Sequence, residues 1–133
     1  HPDVVAFNTS RYMKLPGQVI LAADATIAAR PEELAAFLRA LRAALLAMLD
    51  DKDLRHSLAL IKTFQVEGAE DEALAIEVLR ANLDLATMEG ADNLLRNVPG
   101  NWAHGMALAE RAGFGATVAA GRLYTNALLD RAR

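Results

Sequence analysis

The period of the apolar positions changes once along the chain. Residues 3–8 (Asp3-Val4-Val5-Ala6-Phe7-Asn8) and residues 18–23 (Gln18 to Ala23) are short, nearly continuous apolar runs, which is the pattern of buried strands. Between them lies a polar turn, Asn8-Thr9-Ser10-Arg11-Tyr12-Met13-Lys14, punctuated by Pro16-Gly17. From Asp24 onward apolar residues recur at i, i+3, i+4 and i+7, and the remainder reads as about five helices.

Asp24 is placed to open a short helical turn over residues 25–29. Pro31 then takes the first position of a long helix, with Glu32 and Glu33 at the positive end of its dipole. Leu34, Phe37, Leu38, Leu41, Leu45, Met48 and Leu49 give this helix one buried face. Asp50-Asp51-Lys52-Asp53 ends it and caps the next helix, whose apolar positions are Leu54, Leu58 and Ile61. Gly68, Glu70, Asp71 and Glu72 open a third helix to about Thr87. Its stripe of Leu74, Ile76, Val78, Leu79, Leu83 and Leu85 is wide enough to need partners on more than one side. A fourth helix begins at Pro99 or Asn101 and runs to Gly113, and a short terminal helix covers residues 123–129. Two strands are fewer than a parallel-sheet architecture needs, so the organisation predicts an α/β segment, mostly helical, that is incomplete by itself.

Composition narrows the function classes. Of 133 residues, 17 are acidic and 14 basic, giving a net charge of -3 with both signs scattered, so no basic stripe is offered to a nucleic acid. No apolar run is long enough to span a bilayer. The absence of cysteine removes disulfides, thiolate metal sites and a thiol nucleophile. The start His1-Pro2-Asp3, without a Met or a signal peptide, is that expected of a processed chain, a tag remnant or a fragment.

Little of the remaining chemistry rises above a structural explanation. His1, His56 and His104 stand far apart without zinc-helix spacing, and Ser10 and Ser57 lack a nucleophile elbow. Gly113 and Gly115 follow a helix rather than a strand, so they read as a helix C-cap and turn rather than a phosphate loop. The carboxylates at Glu67, Glu70, Asp71 and Glu72 suit a helix start facing water. No metal ligand set, cofactor motif or catalytic residue is identified. The exception is the turn at Asn8, Thr9, Ser10 and Tyr12, which concentrates hydrogen-bonding side chains at the carboxyl end of an expected strand, where α/β proteins place ligands.

Residues 18–37, Gln18-Val19-Ile20-Leu21-Ala22-Ala23-Asp24 followed by Ala25 to Phe37 with its Pro31-Glu32-Glu33-Leu34 opening, resemble a late strand, short helix and long helix of the NMT1/THI5-like group. These are the nitrate, sulfonate, taurine and pyrimidine-precursor receptors of ABC importers. The ending Tyr124-Thr125-Asn126-Ala127-Leu128-Leu129 is similar to the terminal string of the same group. The resemblance covers nearly the whole chain and matches the carboxyl-terminal portion of such a receptor.

The resemblance implies a two-lobed fold of the type II periplasmic-binding-protein kind, with residues 1–17 as the end of lobe two and the hinge crossing, and residues 18–133 as the carboxyl-terminal helical part of lobe one. It implies hinge closure on a solute without chemistry or cofactor, with Asn8, Thr9, Ser10 and Tyr12 nearest the cleft. The partners it implies are a small organic or anionic solute, the membrane permease of the importer, and the rest of the same protein or another chain over the exposed apolar surface. The location it implies is periplasmic or extracytoplasmic, with a place for a membrane anchor in an amino-terminal segment that this sequence lacks. Two other functions share the resemblance: a pyrimidine-precursor synthase of thiamine biosynthesis, and the ligand-sensing domain of a regulator.

Overall fold

The computed structural model describes residues 12, 15–115 and 118–132. Among these the chain is mostly helical, with six α-helices: α1 (Asp24–Ala29), α2 (Pro31–Asp50), α3 (Arg55–Lys62), α4 (Glu72–Ala86), α5 (Pro99–Arg111) and α6 (Ala127–Arg131). Two 3-10 turns, Ala91–Asn93 and Ala120–Arg122, lie in the connections. The expected strand at residues 3–8 falls outside the described residues. The expected strand at residues 18–23 does not form: the backbone there is irregular up to α1, with Leu21 88% exposed. A strand exists only where a neighbour supplies the ladder, and no described residue pairs with this segment's backbone before Ala23, whose carbonyl accepts from Thr26 and Ile27 as α1 begins. The α/β expectation therefore reduces, for the described residues, to a helical array.

The helix boundaries follow local chemistry. Pro31 and Pro99 open α2 and α5, where a missing N–H costs nothing. Asp71 caps α4, its Oδ1 accepting from the Leu74 N–H at 3.1 Å. Gly113, at φ 85°, ends α5, and the Phe114 N–H returns to the Ala109 carbonyl at 2.9 Å, a closure that needs the left-handed conformation glycine supplies. The terminal helix starts later than its apolar pattern suggests. Thr125 Oγ1 accepts from the Ala127 N–H at 3.1 Å and starts α6 there, leaving residues 123–126 irregular.

The chain divides into two compact units, one comprising His1–Ala29 and Asn97–Ala127, the other Arg30–Arg96 and Leu128–Arg133. All the buried apolar residues described belong to the second unit: Ala35, Leu54, Leu58, Ala69, Leu83, Leu94 and Leu129. Leu94, 1% exposed, is the largest side chain fully enclosed. On α2 the small Ala35 is completely buried while Phe37, expected on the inner face, is 52% exposed. Two residues turn a helix by about 200°, so burying Ala35 directs Phe37 outward. On α4, Leu83 is buried and Ile76 and Leu79 half-buried, while Leu74, Val78 and Leu85 stay at least half exposed on the other side. The wide stripe is thus satisfied on one side and uncovered on the other.

Candidate functional site

Of the four residues expected to meet a ligand, Asn8, Thr9 and Ser10 lie outside the described residues. Tyr12 is 84% exposed. Histidine, aspartate and glutamate do not converge in any set of three able to hold a metal ion among the described residues. No helix among them is long and apolar enough to cross a membrane.

The first unit instead builds a polar clasp beside an apolar groove. Asn126 reaches the backbone of Asn97 with both ends of its amide: Oδ1 accepts from the Asn97 N–H at 2.9 Å, and Nδ2 donates to the Asn97 carbonyl at 2.9 Å. One side chain thereby reproduces the paired hydrogen bonds of a β-bridge. Asn97 answers with its own amide, Nδ2 donating to the Thr125 carbonyl at 3.2 Å and Oδ1 accepting from Trp102 Nε1 at 3.1 Å. The Trp102 ring stacks on Tyr124 with centroids 5.5 Å apart and planes 21° from parallel. The Tyr124-Thr125-Asn126 string is therefore tied to the start of α5, and both ends of the Asn126 amide are committed to the fold.

Next to this clasp an open groove of about 340 Å³ is lined by Leu15, Pro16, Gly17, Val19, Trp102, Gly105, Met106 and Leu123. Its floor is α5 at Gly105. A methyl group there would sit 3.5 Å from Leu15 Cδ2 and 3.6 Å from Pro16 Cδ, so a side chain at this position would meet the segment after the polar turn at ordinary contact distance. None of the lining side chains is ionisable, and the indole N–H of Trp102 is already engaged. The groove can accept apolar surface; it has no charge to offer an anion.

In the second unit a smaller hollow, about 160 Å³, lies among Arg55, Leu58, Ala59, Lys62 and Glu72. Its charges are spent locally. Lys62 Nζ donates to Glu72 Oε1 at 2.6 Å, and this bond, reinforced by the ammonium charge, holds the Glu72 carboxyl below its ordinary range. The acidic run between α2 and α3 is likewise structural. Asp51 Oδ2 accepts from the Ser57 N–H at 2.7 Å and from Ser57 Oγ at 2.8 Å, which lowers the Asp51 carboxyl, the backbone bond contributing most. That cap supports Leu54, which is buried in the left-handed region at φ 60°.

Asn97, Trp102 and Met106 were not singled out from the sequence as site residues. The available signal was the lone tryptophan near two asparagines, since a tucked-in indole N–H needs an acceptor. Comparisons with protein-family models, curated proteins and solved structures find no match for this chain.

Proposed function

We propose that this chain is the carboxyl-terminal part of a solute-binding protein of an ABC importer, a two-lobed α/β receptor that closes on a small molecule without chemistry, with residues 18–133 belonging to lobe one. The observation that carries the reading is the run Val19-Ile20-Leu21-Ala22-Ala23. It is apolar on both faces and exposed, no described backbone group pairs with it before the Ala23 carbonyl, and it leads directly into α1 and α2. A strand apolar on both faces followed by a helix is what the interior of a parallel sheet uses, where helices cover each side. The uncovered side of α4 and the exposed Phe37 are the complementary demand on the helical layer. In this reading the rest of the receptor, or another chain, supplies the sheet, and Asn8, Thr9, Ser10 and Tyr12 are the residues assigned to solute contact. The permease is the macromolecular partner, and the compartment is extracytoplasmic.

The test is a melting-temperature screen of the full-length protein that carries this sequence against sulfonates, nitrate, pyrimidines and aromatic acids. A ligand that binds only the folded state raises the melting temperature by mass action. The receptor reading expects a saturable rise with at least one class and no turnover of the ligand. No rise across the panel overturns it, and turnover of a pyrimidine precursor replaces it with the synthase reading.

A further inference from the structure

We draw no further inference here: the strongest candidate, the exposed apolar face of α4 at Leu74, Val78 and Leu85, carries nothing, because nothing in the structure shows what covers it.

Discussion

Replacing Asn126 by alanine is the most direct probe of the clasp. The substitution deletes two hydrogen bonds of 2.9 Å to the backbone of Asn97 and leaves that N–H and carbonyl without their partner. Each net bond of this kind contributes about 0.5–1.5 kcal/mol, and the groups are part-buried, so water can return to them; the loss is about 2 kcal/mol. With a urea slope of about 1–1.5 kcal/mol/M for a small unit, the midpoint falls by about 1.5 M. Trp102 emission reads this transition directly, since Trp102 donates to Asn97 and stacks on Tyr124, both beside the lost contact. Asn126→Asp is the sharper control. It keeps an acceptor for the Asn97 N–H but sets a carboxylate oxygen against the Asn97 carbonyl, so it is also destabilising, and more so at neutral pH than at pH 4. A midpoint within 0.3 M or so of the parent for Asn126→Ala would refute the claim that this residue ties the terminal string to α5.

Three further outcomes follow from the second unit. Leu94→Ala, at the most enclosed large side chain, costs about 2–5 kcal/mol in chemical denaturation, and a loss below 1 kcal/mol or so would mean that the site is not enclosed. Gln65 is exposed and held at φ 53°, so Gln65→Gly relieves a left-handed conformation and raises stability by up to about 1 kcal/mol, readable as a higher melting temperature. The Asp51 carboxyl is lowered in the folded state; its contribution is therefore complete above the carboxyl's unfolded value and is lost as pH falls through the lower folded one. Between pH 5 and pH 2 the parent should lose more melting temperature than Asp51→Asn, and equal slopes would remove Asp51 from the acid response.

The legible parts of this fold were those encoded within one helical turn. The i, i+3, i+4 recurrence located α2 to α5, and Pro31, Pro99, Asp71 and Gly113 marked their ends because each acts on backbone groups within four or five residues. The clasp was illegible for the opposite reason. Asn97 and Asn126 are separated by 29 residues, and nothing in either neighbourhood states that one asparagine will serve the other's backbone. Phe37 shows a finer failure, since its position fits the apolar template as well as Ala35 does, and only packing decides which of the two faces inward.

The segment Val19 to Ala23 makes the distinction between local and borrowed structure sharpest. A helix closes its own hydrogen bonds, so its pattern alone is enough to form it once a face is buried; a strand leaves every N–H and carbonyl for a neighbour. Apolar residues on both faces at positions 19–23 therefore state a requirement rather than a structure, and the described residues do not meet it. The same demand recurs at Leu74, Val78 and Leu85 on the outer side of α4. In the proposed receptor reading, a sheet meets the requirement for a ladder at residues 19–23. A substitution can separate that from simple stickiness. Leu21→Lys should abolish binding of a hydrophobic dye to this segment without lowering the urea midpoint, because Leu21 is 88% exposed and contributes almost no packing. If Leu21→Lys instead destabilised the chain, the segment would already be folded against something, and the need for a sheet from elsewhere would disappear.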